Sequence, residues 1–298
     1  MPSPPMSLPQ PATHHLAVEG GQIAYDDTGG PGPLVIGLPG MGDLRREYRR
    51  LRAPLQAAGY RVVTLDVRGF GDTDARWTDL SARAVGRDVQ ALVTHLQAGP
   101  AVVLGNSFAA GSALWAAHEA PDRVRAAVLL GPIVRDQPMP WAMRVLVRLG
   151  FAGPWRVAFW MSFWDRLFPQ RRPADQAEAR AALAANLREP GRMDALRQMA
   201  SLSKADTEAL LPHSRLPALV VMGSRDPDFA DPPAEARWLR DALKAELLLV
   251  DGAGHYPHLD SPDEVAPAVI DFLRRVAPVP LSPVHGAGPR PAYNPSNA

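Results

Sequence analysis

The sequence predicts an α/β protein: a mostly parallel sheet with an antiparallel start, broken by a helical insertion. Three observations carry this. Short apolar runs recur at residues 34–38, 62–65, 101–104, 126–130, 218–222 and 247–250. None alternates cleanly between polar and apolar, as expected for strands covered on both faces of a parallel sheet. Helical patterns lie between these runs, so strand and helix alternate over most of the chain. Between residues 133 and 216 that alternation stops.

The elements follow in order. Gly20-Gly21 sits between two short strand-like segments, 17–19 and 22–25, and reads as a hairpin. Residues 48–58 read as a helix closed by Gly59. Residues 81–97 read as another, with Val85, Val89, Leu92, Val93 and Leu96 on one face. Further helical patterns cover 234–244 and 262–276. The 133–216 stretch is helical and aromatic, holding four of the seven tryptophans. It predicts an inserted cap, with most aromatics gluing it to the main domain and a minority lining an apolar pocket. Trp141, Trp160 and Trp164 are the candidates for that pocket.

Composition bounds the rest. A chain of 298 residues with 46% apolar content suits one large domain, or one domain with an insertion. The net charge of +1, without a long like-charge run, gives no nucleic-acid footprint. There are no cysteines, which excludes disulfides, thiolate metal sites and a cysteine nucleophile. This fits a reducing, cytoplasmic setting. No run of 18 apolar residues exists, so no membrane partner is expected. Residues 1–14 read as a disordered Pro-rich lead-in without the features of a secretory signal, and 278–298 as a disordered tail. The oligomeric state stays open.

Chemistry concentrates in four places. Gly105-Asn106-Ser107-Phe108-Ala109 follows an apolar run and opens a helix of small residues. Taken alone, the pattern could be a strand-to-helix turn with a capping serine. It also reads as a nucleophile elbow, which pushes the Ser107 hydroxyl out at a strand's carboxyl end. A serine hydroxyl needs an imidazole to take its proton and a carboxylate to orient that imidazole. His255 lies in a Gly-rich loop after a buried run, where α/β sheets carry chemistry. Its neighbour His258 reads as a rim residue. Asp226 follows the preceding run, with Asp228 and Asp136 as alternative acids. Leu38-Pro39-Gly40-Met41-Gly42 follows the first central run, and the backbone N–H groups of Met41 and Phe108 are the candidate oxyanion donors. No metal or cofactor site is signalled outside this set.

These motifs resemble the α/β-hydrolase fold over roughly residues 15–277. The matching segments are Leu38-Pro39-Gly40-Met41-Gly42, Asp66-Val67-Arg68-Gly69-Phe70-Gly71-Asp72-Thr73, the elbow, Gly223-Ser224-Arg225-Asp226 and Gly252-Ala253-Gly254-His255. The order Ser, Asp, His is the family's order. The resemblance implies a mostly parallel eight-stranded sheet flanked by helices. Its core would comprise 15–132 and 217–277, with a cap over 133–216 after the sixth strand. Two departures stand out. Pro39 occupies the place where many members carry a histidine that braces the oxyanion loop, and Ala109 replaces the elbow's usual second glycine.

The leading expectation is a cofactor-independent serine hydrolase acting through an acyl-enzyme on a small apolar ester, lactone or thioester. Carbon–carbon bond hydrolysis, suggested by Asn106 beside the serine, and acyl transfer are alternatives. A ligand receptor with a retained but slow triad is a further one. Ser107 in place of a carboxylate disfavours dehalogenase and epoxide-hydrolase chemistry.

Overall fold

A computed structural model describes residues 11–280. The antiparallel start is the hairpin β1 (Thr13–Val18) and β2 (Gly21–Asp27). Next come β3 (Leu34–Leu38), α1 (Arg49–Ala57), β4 (Arg61–Leu65), α2 (Ala82–Leu96), β5 (Ala101–Asn106), α3 (Phe108–Glu119) and β6 (Val124–Leu130). Five helices follow without a strand: α4 (Trp141–Ala152), α5 (Arg156–Arg166), α6 (Gln176–Leu187), α7 (Arg192–Ser201) and α8 (Ala205–Leu210). The chain returns to the sheet with β7 (Ala218–Gly223), α9 (Pro232–Leu243) and β8 (Glu246–Val250), and closes with α10 (Pro257–Asp260) and α11 (Pro262–Val276).

The eight strands form one sheet in the order β1-β2-β4-β3-β5-β6-β7-β8, and only the pairings of β2 are antiparallel. The missing alternation has the expected cause. In β3, Leu34, Ile36 and Leu38 face the layer holding α2, α3 and α9, while Val35 faces Leu51 and Leu55 of α1 and Phe272 of α11. Both faces of the central strands are dry, so nearly every position is apolar or small, with Thr64 and Asn106 the buried polar exceptions.

The sheet starts earlier than the sequence suggests. Thr13 and His14, inside the expected lead-in, belong to β1, because the backbone ladder to Tyr25 and Asp26 holds exposed polar residues in an edge strand. Most of the lead-in, 1–10, and nearly all of the tail, 281–298, lie outside the described residues. No helix among the described residues is long and apolar enough to cross a membrane.

Candidate active site

The candidate residues gather at the carboxyl ends of the parallel strands. Ser107 follows the central strand β5, Asp226 follows β7 and His255 follows β8. Crevices at strand carboxyl ends are where such sheets bind ligands.

Ser107 caps α3 with φ 56° and ψ −124°, a conformation that L-residues other than glycine rarely hold. Its surroundings enforce it. The Ser107 N–H donates to Leu130 O at 2.9 Å, and its carbonyl accepts from Ala110 N and Ile133 N at 3.1 Å each. A Cβ at Gly105 would lie 2.4 Å from the Ala109 carbonyl oxygen, so the turn demands glycine there. Ala109 itself is fully buried, and its methyl is accommodated. The Asn106 side chain donates to Leu130 O at 2.9 Å and to His255 O at 3.3 Å, tying the elbow to the histidine loop.

His255 is held from two sides. Its Nδ1 lies 2.8 Å from Asp226 Oδ2, and its backbone N–H donates to Leu167 O after α5 at 3.0 Å. The Asp226 and His255 loops meet closely: a Cβ at Gly223 would stand 2.1 Å from Gly254 O. Asp226 Oδ1 accepts the Asp228 N–H at 3.0 Å, so both carboxylate oxygens are committed. Asp228 Oδ2 lies farther from the imidazole, at 3.4 Å. Asp136 lies elsewhere, bonded to Ser203 and Lys204 of the insertion. Burial works against the charge on His255, but Asp226 and Asp228 outweigh it and lift the imidazole to about 9. Burial raises Asp228 to about 6. The ligand-type atoms of Asp226, Asp228 and His255 lie within 4.8 Å of one another, a cluster that the imidazole–carboxylate hydrogen bond already explains.

The loop that carries the candidate oxyanion donor Met41 is braced by a residue that the sequence reading missed. Glu47, in the 3₁₀ turn Arg45–Tyr48, accepts the Gly40 N–H on Oε2 at 3.0 Å. Its Oε1 lies 3.0 Å from His258 Nε2. Burial and neighbouring Asp43 push the Glu47 carboxyl well above its usual range. Burial pulls His258 down to about 3, so burial disfavours the charged form of both partners. His258 is therefore no rim residue. It is fully buried and stacks on Tyr48 with ring centroids 5.5 Å apart. The N–H groups of Met41 and Phe108 donate to no acceptor within the protein among the described residues.

The three tryptophans divide. Trp160 and Trp164 are buried against this loop, donating to Gly42 O at 3.3 Å and to Asp43 Oδ2 at 3.0 Å. Trp141 is 74% exposed at the start of α4 and lines no enclosed pocket. Aromatic spacing placed it on a helix, and the outward face of that helix claims it. A cavity of about 300 Å³ opens near the far end of α3, lined by Leu114, His118, Arg125 and Leu216 among others, none of them a candidate site residue. The Asp66–Thr73 segment is scaffold: Asp66 accepts from Arg45 N at 2.7 Å and Asp72 N at 3.0 Å, and the Thr73 hydroxyl donates to Asp66 O.

The strand order, the elbow and the loops after β7 and β8 define a class, and comparison with known proteins agrees. The sequence profile of the alpha/beta hydrolase fold matches residues 33–262. The chain belongs to that family and is an enzyme of the hydrolase type. It is 29% identical over 266 residues to a 2-hydroxy-6-oxo-6-phenylhexa-2,4-dienoate hydrolase of Comamonas testosteroni, covering 85% of this chain and 91% of that one. It is also 29% identical over 275 residues to the polyketide synthase ThaQ of Burkholderia thailandensis, covering 87% of this chain but only 12% of that much longer protein. Among solved structures, an enol-lactonase from Burkholderia xenovorans superposes with a TM-score of 0.74 at 23% identity, covering 87% of this chain and 99% of that one.

Proposed function

We propose that the chain is a cofactor-independent serine hydrolase acting on a small apolar ester, lactone or thioester. The observation that carries this is the strained Ser107 elbow at the same sheet edge as the buried His255–Asp226 pair. Ser107 Oγ attacks the carbonyl carbon while His255 Nε2 accepts its proton. Asp226 fixes the tautomer by holding Nδ1, and it favours the imidazolium that forms. The Met41 and Phe108 N–H groups receive the developing oxyanion. His255 then returns the proton to the leaving group, and water hydrolyses the acyl-enzyme by the reverse path. The helices of 133–216 act as a cap over Ser107. They reach both site loops, through Trp160 to Gly42 and through Leu167 to His255. Trp160 and Trp164 form the wall beside the oxyanion loop.

A fluorophosphonate probe tests this reading. It should label the native protein at Ser107, read by peptide mass spectrometry. Absence of labelling in folded protein contradicts the mechanism. Carbon–carbon hydrolysis is the second reading, favoured by the likeness to the Comamonas dienoate hydrolase. Asn106 supports it only in part: its side-chain NH2 is spent on two backbone carbonyls, while its buried Oδ1 has no hydrogen-bond partner among the described residues.

Glu47 takes the bracing role left open by Pro39. Glu47→Ala strands the buried Gly40 N–H and loosens the loop that carries the Met41 donor. It should lower kcat by up to about 10²-fold with little change in KM, since misplaced catalytic groups carry penalties of that size. Glu47→Gln keeps an acceptor for Gly40 and should retain most of the rate. Equal kcat for both variants and the native enzyme in steady-state assays would remove Glu47 from this role.

A further inference from the structure

We propose that α4 docks this protein on an anionic lipid surface. Among the described residues, eight large hydrophobic side chains are exposed, and seven of them lie between 139 and 155. Along α4 every residue from Trp141 to Leu146 is exposed, as are Arg148 and Leu149, and burial begins only at Gly150 and Phe151. Isolated exposed hydrophobics are ordinary, but a contiguous cluster of this kind marks an interaction surface.

The pattern on the helix selects the occupant. Trp141, Val145 and Leu149 recur at four-residue spacing and form one outward ridge, with Leu146 beside it. Arg144 and Arg148 form the neighbouring ridge, also four apart. Neither arginine makes an ion pair among the described residues, and no acidic residue occurs from 137 to 164. Exposed indoles stand near both ends, Trp141 at 74% and Trp155 at 56% exposure. Apolar ridge, flanking guanidinium groups and terminal tryptophans suit a helix lying in the plane of a membrane interface. The rings sit at headgroup level, and the arginines reach lipid phosphates while their stems stay in the apolar layer. A second copy meeting it through the same α4 face would bring the same two arginines, and residues 137–164 hold no carboxylate to meet them. At 12 residues the helix is far too short to span. The expectation of no membrane partner rested on the lack of a spanning segment, and a helix lying flat leaves that lack intact.

Docking would bring the candidate site close to the lipid. Buried Phe151 packs edge-on to Phe159 with centroids 5.6 Å apart and lies 6.2 Å from Trp160, whose N–H holds the oxyanion loop. This inference does not depend on the identity of the nucleophile.

Vesicle co-sedimentation of the full chain tests it, with phosphatidylcholine alone or mixed with phosphatidylglycerol. Native protein should bind the mixed vesicles, with tryptophan emission quenched by brominated acyl chains. Arg144→Glu with Arg148→Glu should weaken binding by more than about thirtyfold, the effect of losing two surface-bound cations. Leu146→Ser with Leu149→Ser should abolish quenching, with melting temperature unchanged in both variants. Failure to bind either vesicle, or equal binding to both, overturns the proposal. So does a dimer in sedimentation velocity that the leucine variant dissolves, since the face would then be a self-association surface.

Discussion

Ser107→Ala is expected to lower ester turnover by about 10⁶-fold, the scale seen when a triad serine is removed from an enzyme of this mechanism. Fluorophosphonate labelling should vanish with it. Alanine keeps a Cβ in the same strained backbone, so the melting temperature should stay close to native. Ser107→Gly should be equally inactive yet more stable by about 1–3 kcal/mol, because glycine relieves a backbone position of that strain. Because neither variant carries a hydroxyl, only the difference in melting temperature between them reports the backbone strain at this position. Residual activity near native in Ser107→Ala, measured by stopped turnover on p-nitrophenyl esters, would end the assignment.

The sheet was legible because its physics is simple. Strands buried on both faces must be apolar throughout, and the runs at 34–38 and 101–104 say so directly. The last helix was legible at both ends, with Pro262 opening it and Val276 closing it. The tight strand-to-helix turn at Ser107 was legible because such a turn restricts its flanks to small residues. Glu47 was not, since Asp43-Leu44-Arg45-Arg46-Glu47 reads as a charged surface turn. Only the missing loop histidine at Pro39 hinted that another group must hold Gly40. His258 was misread for a related reason: burial beside Glu47 and Tyr48 depends on partners far apart in sequence. The tryptophans show the limit of periodicity. Helical spacing groups residues on a face, but it does not say whether that face meets the rest of the protein, as at Trp160 beside Gly42, or water, as at Trp141.

Substitution at the two carboxylates beside His255 should have unequal consequences. Asp226→Asn removes the 2.8 Å partner of Nδ1 and allows the wrong tautomer, so kcat should fall by about 10⁴-fold. Asp228 is only a second negative charge at 3.4 Å, and Asp228→Asn should keep most of the maximal rate. Its signature should appear in the pH profile. The base must be neutral to act, and the free enzyme's imidazole is held near 9. Native kcat/KM should therefore climb through neutral pH and level off above about 9. Removing the Asp228 charge destabilises the imidazolium, so the imidazole loses its proton more readily and the acid limb moves to lower pH. Asp136→Asn should move neither the rate nor the limb, because its carboxylate is bonded to Ser203 and Lys204. The measurement is kcat/KM from pH 5 to 10 for the three variants. A collapse in Asp228→Asn with Asp226→Asn left active would exchange the two roles. An unshifted limb in Asp228→Asn would mean that its charge is not felt at the imidazole.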